Sequence, residues 1–229
     1  MSDNKMKDRQ SGVDEFVNPF RPGAGHPPPH LAGRQVEAEE FKRLLQQDPI
    51  LKNVILTGLR GVGKTVLLDA LRPVAIREKW GWVGTDLSES ASMSEERMAV
   101  RILTDLSVFT SGLMIETKAR RPAGLLVFEQ PTTTEPLNHA FLLRLFNATP
   151  GLVSDKLKHV LEQVWAAMQA HDRRGIVFAY DEAQNLSDHA EKEQLPLSLL
   201  LGVFQSVQRK GMRFLLVLTG LPTLFSKLV

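Results

Sequence analysis

One stretch of the sequence combines glycines, a lysine and a threonine at the spacing that holds phosphate groups. It reads Gly58-Leu59-Arg60-Gly61-Val62-Gly63-Lys64-Thr65, and Val66 follows it. Glycines let the backbone curl so that successive N–H groups point inward at an anion, and the positive end of the following helix adds to that attraction. We expect Lys64 to contact the β- and γ-phosphates of a nucleotide, and Thr65 to offer its hydroxyl to Mg²⁺. A glycine-rich turn without phosphate is the alternative.

An acidic pair, Asp181 and Glu182, follows the continuous apolar run Ile176–Tyr180. Such a run is typical of a central parallel strand buried on both faces, and open α/β sheets bind ligands at the carboxyl ends of their strands. We expect Asp181 to hold the Mg²⁺ shell and Glu182 to polarise the attacking water as a general base. An isolated acidic pair would fit a solvated strand end equally well, and the phosphate loop is what favours catalysis.

Thr219 ends a second apolar run, Phe214–Leu218. If this strand lies between the two strands that carry the other motifs, the hydroxyl of Thr219 faces the γ-phosphate and positions water. A threonine that merely precedes the turn at Gly220 is the open alternative. The sequence has no Asn-Lys-x-Asp guanine motif, so ATP is favoured over GTP.

Strand and helix patterns alternate around these motifs, which predicts an α/β fold with a parallel sheet flanked by helices. The expected strands are Asn53–Thr57, Trp82–Asp86, Ile176–Tyr180 and Phe214–Leu218. The expected helices are Gln35–Gln47, one from about Gly63 that Pro73 ends or kinks, Ser94–Leu106, Asn138–Phe146, Leu152–His171 and Leu195–Arg209. The two motifs lie 181 − 64 = 117 positions apart, which predicts an insertion near residues 107–150 of the nucleotide-binding domain 31–229.

Composition excludes several classes of function. The chain has 229 residues, no cysteine and a formal net charge of +2, so thiolate catalysis and cysteine-based zinc sites are excluded and no global charge attracts DNA or anionic membranes. It shows neither a membrane span nor a signal peptide, and cytoplasm is the expected location. Residues 1–30 are rich in proline and glycine, which indicates a flexible arm or an ordered strap over the core.

The order of motifs resembles that of AAA+ ATPases, in particular bacterial ATP-binding proteins related to the origin-recognition and STAND ATPases. The stretches that carry the resemblance are Asn18–Gly25 with Leu31-Ala32-Gly33-Arg34, Leu56–Thr65, Ala179–Leu186 and Leu218–Leu224. The resemblance implies a P-loop three-layer sandwich with Walker A and Walker B motifs, ATP and Mg²⁺ as ligands, Gly33 and Arg34 bordering the adenine, and Thr219 as the first sensor.

Members of that family continue with a further strand, an arginine finger and a helical lid, whereas this sequence stops at Val229. The resemblance therefore implies a P-loop fold that is incomplete at its C-terminal end, and it places turnover in more doubt than binding. Three functions stay open: an ATPase switch that self-associates, a nucleotide-dependent module that signals to DNA or a protein with little hydrolysis, and a helicase-type translocase suggested by Asp181-Glu182-Ala183-Gln184.

Overall fold

The computed structural model describes residues 33–87, 94–118, 132–186, 188 and 194–227. Its α-helices are α1 (Gln35–Leu45), α2 (Lys64–Arg77), α3 (Glu95–Thr110), α4 (His139–Ala148), α5 (Val153–Met168) and α6 (Pro196–Arg209). Its strands are β1 (Val54–Thr57), β2 (Trp80–Val83), β3 (Met114–Lys118), β4 (Thr132–Pro136), β5 (Gly175–Tyr180) and β6 (Phe214–Gly220). Two short 3₁₀ helices cover Ala183–Asn185 and Pro222–Lys227. The predicted arm 1–30 lies outside the described residues.

Four strands form one parallel sheet in the order β1-β6-β5-β2. β6 therefore lies between β1, which leads into the phosphate loop, and β5, which leads into Asp181. The condition that the sequence set for Thr219 is met, because its strand separates the other two. A parallel sheet brings the carboxyl ends of these strands to one edge, so the three predicted motifs meet there.

Side chains of the two central strands alternate between two apolar layers. On one face, Phe178 and Phe214 pack in a T-shaped pair with ring centroids 5.9 Å apart, within a core completed by α3, α4, α5 and α6. On the other face, Val177 and Val217 pack with α1 and α2. Every residue of β5 and β6 is buried, as the continuous apolar runs predicted. The fold is a three-layer α/β sandwich, which confirms the predicted class.

The chain between β2 and β5 holds α3, α4, α5 and a two-stranded antiparallel sheet of β3 and β4. Thr132–Pro136, a Thr/Pro cluster that sequence patterns left unassigned, pairs along its whole length with Met114–Lys118. α4 begins at its N-cap Asn138, whose side chain accepts the Phe141 N–H at 3.0 Å. These elements occupy the wide spacing between the motifs; that they are an insertion into the nucleotide core stays a prediction.

Two local expectations need correction: that Pro73 ends its helix, which was one of two alternatives given for it, and the bounds of the second strand. α2 does not end at Pro73 but continues to Arg77, because burial of Leu71, Val74 and Ala75 against the sheet outweighs the roughly 3 kcal/mol cost of an interior proline. β2 covers Trp80–Val83 rather than Trp82–Asp86. Within β2, Gly81 lets the strand pack closely, since a Cβ there would lie 2.5 Å from the Phe109 ring.

The described helices were also compared with the length and apolarity of a membrane span. None of those helices is long and apolar enough to cross a bilayer.

Candidate functional site

The phosphate loop runs from the end of β1 to the start of α2. Gly61 and Gly63 both have φ of 82°, a left-handed conformation that side chains with a Cβ rarely adopt. Gly63 is also the N-cap of α2, so the positive end of the helix opens directly onto the loop. The side chains of Leu59, Arg60 and Val62 are exposed and Val66 is half-buried, so the loop presents mainly backbone. This is the shape that an anion cradle requires.

Lys64 folds back over the loop that precedes it. Its Nζ donates to the carbonyl oxygens of Gly58 at 3.0 Å and Leu59 at 2.9 Å. The ammonium group is thereby held against the backbone at the start of the loop. An anionic acceptor would make a stronger hydrogen bond than these neutral carbonyls; that Lys64 contacts nucleotide phosphates stays a prediction.

Asp181 is the point where the three motifs meet. Only 3% of its surface is exposed, and its Oδ2 accepts the Thr65 hydroxyl at 2.5 Å. Its Oδ1 accepts the hydroxyl of Thr219, which is fully buried, and the Glu182 N–H at 2.8 Å. A buried carboxylate must be compensated by hydrogen bonds, and here the partners come from α2, β6 and the Asp181–Glu182 turn. Asp181 therefore also joins α2 to β6 and to its own strand end.

Glu182 has an unusual backbone conformation. Its φ is 54° and its ψ 37°, in the left-handed region that non-glycine residues avoid. The Asp181 carboxylate stabilises this conformation through the Glu182 N–H, and the exposed side chain of Glu182 accepts a hydrogen bond from Gln184 Nε2. Backbone strain of this kind concentrates at functional sites. The conformation places a carboxylate beside Asp181 and open to solvent; that this carboxylate acts as a general base stays a prediction.

Asp86 is a member of the site that the sequence prediction treated only as the end of a strand. It forms an isolated parallel bridge with Asp181. Burial raises the pKa of Asp86, and the neighbouring carboxylates Asp181, Glu182 and Asp69 raise it further, against an opposing effect of Arg101. Several carboxylates are thus concentrated at this edge of the sheet. No spacing rule links Asp86 to Asp181, since only the sheet brings them together.

A cavity of about 240 Å³ opens beside this acidic edge. Its charged and hydroxyl-bearing lining residues are Thr65, Asp69 and Arg72 of α2, Thr85 and Asp86 after β2, and Asp105 of α3. The cavity lies against the metal-binding candidate Thr65, so it belongs to the same site.

Gly33 and Arg34 lie at the start of α1, next to the phosphate loop. Gly33 has φ of 82°. Arg34 forms an ion pair with Glu37 at 2.7 Å, and its Nη2 donates to the Val62 carbonyl at 3.2 Å. The ion pair lowers the pKa of Glu37. Arg34 thereby connects α1 to the loop; that Gly33 and Arg34 border an adenine stays a prediction.

Gln184 is a second residue of the site to which the sequence assigned no role of its own, beyond its place in Asp181-Glu182-Ala183-Gln184. Besides its contact with Glu182, its Oε1 accepts the Leu221 N–H at 3.0 Å. Its signal in the sequence is only its place two residues after Glu182, and spacing alone does not predict a contact with Leu221.

Among the described residues, no group of three or more His, Asp or Glu side chains forms a metal cage. The donor set at the loop is instead one carboxylate, Asp181, and one hydroxyl, Thr65, joined at 2.5 Å. Both are hard oxygen donors, and Mg²⁺ usually takes one or two carboxylates together with phosphate oxygens and water. The residues present therefore fit Mg²⁺ that arrives with a nucleotide.

No family model matches the chain, and no curated protein matches it. Solved structures similar to it include the following two. The Walker-type ATPase paby2304 of Pyrococcus abyssi shares 19% identity at a TM-score of 0.40, covering 82% of this chain and 44% of its own. The ORC2 protein of Aeropyrum pernix, in ADPNP-ADP complexes, shares 18% identity at a TM-score of 0.47, covering 86% of this chain and 43% of its own.

The chain therefore spans less than half the length of either similar structure. By its own geometry it is a three-layer α/β protein whose phosphate loop, acidic strand end and buried threonine converge at one edge of a parallel sheet.

Proposed function

We propose that this chain binds ATP with Mg²⁺ at the loop Gly58–Thr65 and hydrolyses its terminal phosphoanhydride bond, as the ATPase core of an AAA+-type switch. The observation that carries the proposal is the Asp181 carboxylate, which accepts hydroxyl hydrogen bonds from both Thr65 and Thr219. Asp181 thus links Thr65, at the end of the phosphate loop, to Thr219, near the end of β6, the strand that lies between β1 and β5. A carboxylate at a solvated strand end would be exposed to water, whereas Asp181 is only 3% exposed and accepts both hydroxyl hydrogen bonds.

Each residue has a role that its surroundings support. The loop N–H groups and Lys64 would hold the phosphates, and Thr65 and Asp181 would hold Mg²⁺, which supplies charge neutralisation on the phosphate oxygens. Thr65 would offer the metal an oxygen lone pair, so its hydrogen can stay bonded to Asp181.

Hydrolysis requires a base for the attacking water. Glu182 would take a proton from that water as the oxygen bonds to the γ-phosphorus and the bond to the β-phosphate oxygen breaks, which leaves ADP and inorganic phosphate. Thr219, beside Asp181, would orient the water through its hydroxyl. Held open to solvent by its left-handed backbone, Glu182 can exchange the proton afterwards.

Phosphate release by wild type and by Glu182→Gln, with ATP affinity measured by calorimetry, tests the proposal. Glu182→Gln should lower the rate by about 10²–10⁴-fold, the usual contribution of a general base, and should leave ATP affinity nearly unchanged. Glu96→Gln on the exposed face of α3 is the matched control and should keep the wild-type rate. Lys64→Ala should abolish ATP binding while the fold is retained.

Equal phosphate release by wild type and Glu182→Gln would contradict the enzyme function. If ATP still bound under those conditions, the chain would instead be a nucleotide-dependent binding module for a protein or DNA partner. Unchanged affinity in Lys64→Ala would contradict the site itself. Chelation of Mg²⁺ by EDTA should stop hydrolysis in wild type.

A further inference from the structure

Gln184 makes two side-chain contacts that lead in opposite directions from the candidate site. Its Nε2 donates to Glu182 Oε2, and its Oε1 accepts the Leu221 N–H at 3.0 Å. A carboxylate can only accept and a backbone N–H can only donate, so both contacts demand the same orientation of the amide. Rotating the amide by 180° would break both. The side chain is therefore specified at both ends, unlike a surface glutamine.

The second contact joins the acidic turn to the end of β6. Leu221 follows Thr219 and Gly220 directly, and it leads into the 3₁₀ helix Pro222–Lys227. Lys227 Nζ in turn donates to the backbone carbonyl of Gln184, and to that of Leu186 at 3.1 Å. Side chain and backbone of Gln184 are thus both attached to the segment that follows β6.

Gly220 provides the space for this bridge. A Cβ on Gly220 would lie 2.7 Å from Gln184 Oε1 and 3.3 Å from the Gln184 backbone nitrogen. Real Cβ atoms essentially never show contacts under 3.0 Å, so a side chain here would push the amide off Leu221. Gly220 therefore affects Gln184 only sterically, by leaving room for its amide.

We propose that Gln184 is a positioning residue for hydrolysis: its amide sets the orientation of the Glu182 carboxylate by anchoring it to the backbone at Leu221. The inference rests on the proposed function, because it gives Gln184 a role only through the base Glu182. A freely rotating Glu182 side chain, on a backbone already held in the left-handed region, would sample several rotamers. The anchored carboxylate keeps one rotamer, and its position is fixed relative to the end of β6, which carries Thr219.

The test compares three variants in Mg-ATP turnover and in ATP binding. Gln184→Ala removes both contacts, Gln184→Glu keeps an acceptor for Leu221 but faces Glu182 with a second carboxylate, and Gly220→Ala displaces the amide without altering it. All three should lower kcat by up to about 10²-fold, the loss that misplacing a catalytic group by about 1 Å can produce. ATP affinity should stay within about threefold, since none of the changed atoms belongs to the phosphate loop.

Asn185→Ala is the matched control. Asn185 is the next residue of the same 3₁₀ helix, and its Nδ2 donates to the Leu87 carbonyl at 2.9 Å rather than to Glu182. This variant should keep the wild-type kcat even if it unfolds at a lower temperature. In the Glu182→Gln background, adding Gln184→Ala should reduce the residual rate no further, because a positioning residue acts only through the group it positions.

A measurement without nucleotide follows the same contact. The Leu221 amide should exchange with solvent faster in Gln184→Ala than in wild type, as followed by NMR. Wild-type turnover in Gln184→Ala, an equal loss in Asn185→Ala, or a further loss in the Glu182→Gln background would each overturn the inference while the proposed function stands. Absence of hydrolysis by wild type would overturn both.

Discussion

Replacing Thr219 by valine removes one hydroxyl from the buried centre of the site and keeps the shape of the side chain. The hydroxyl donates to the Asp181 carboxylate, and Thr219 is fully buried. A hydrogen bond to a charged group contributes about 1.5–3 kcal/mol to stability. In the variant, Asp181 keeps the Thr65 hydroxyl and the Glu182 N–H. We expect the free energy of unfolding to fall by that amount.

This loss is large enough to measure by thermal unfolding. For a chain of 229 residues, each kcal/mol lowers the midpoint by about 2–4 °C, so Thr219→Val should unfold about 3–12 °C below wild type. Phosphate release should fall by about tenfold or more while ATP still binds, because the hydroxyl lies at the strand end and not in the loop. Thr219→Ser should restore both properties in large part.

Thr110→Val is the matched control. Thr110 is also fully buried, but its hydroxyl donates to the neutral Leu137 carbonyl at 2.6 Å, between α3 and the end of β4. A neutral hydrogen bond contributes about 0.5–1.5 kcal/mol, so the midpoint should fall by about 1–6 °C, with unchanged hydrolysis. Equal destabilisation of the two variants would refute the charge-assisted bond. Wild-type turnover in Thr219→Val would refute the role of Thr219.

Two further predictions concern strain and buried charge. Among the described residues, two that are not glycine have a left-handed backbone: Lys79, with φ of 64°, and Glu182. Glycine at either position should raise the free energy of unfolding by about 0.5–1 kcal/mol. The reason is that relief of roughly 1–2 kcal/mol of backbone strain exceeds the entropy cost of glycine. Only Glu182→Gly should also lose hydrolysis. Burial raises the pKa of Asp105 against the opposing effects of Arg101 and the Tyr180 hydroxyl, so Asp105→Asn should raise the unfolding midpoint at neutral pH.

The pH dependence of Asp105→Asn follows from the direction of that shift. The folded protein binds a proton at Asp105 more tightly than the unfolded chain does, so wild type loses stability as pH rises from the ordinary value of 3.8 through the raised pKa. The advantage of asparagine should therefore be full at neutral pH and vanish below about pH 3.8, near the ordinary pKa of an aspartate. Asp172→Asn, at an 82% exposed side chain, should show little advantage at any pH. An advantage of Asp105→Asn that grows in acid would contradict the cause given for the shift.

The sequence determined those parts of the protein that depend on neighbours along the chain. The apolar runs of β5 and β6 predicted buried strands because a strand covered on both faces needs no polar side chain. The glycines before Lys64 predicted a backbone that opens toward an anion. Pro196 predicted the start of α6, since proline suits the first turn of a helix.

The tertiary structure decided everything that joins distant residues. Pro73 stays within α2 because packing against the sheet outweighs its local preference. Asp86 meets Asp181 only through the pairing of β2 with β5, and Gln184 reaches Leu221 only because β6 ends beside the acidic turn. These contacts depend on the order of strands in the sheet, which the packing of the whole chain sets. Local sequence patterns thus named the phosphate loop and the acidic pair, and the sheet order determined that Thr65 and Thr219 share the Asp181 carboxylate.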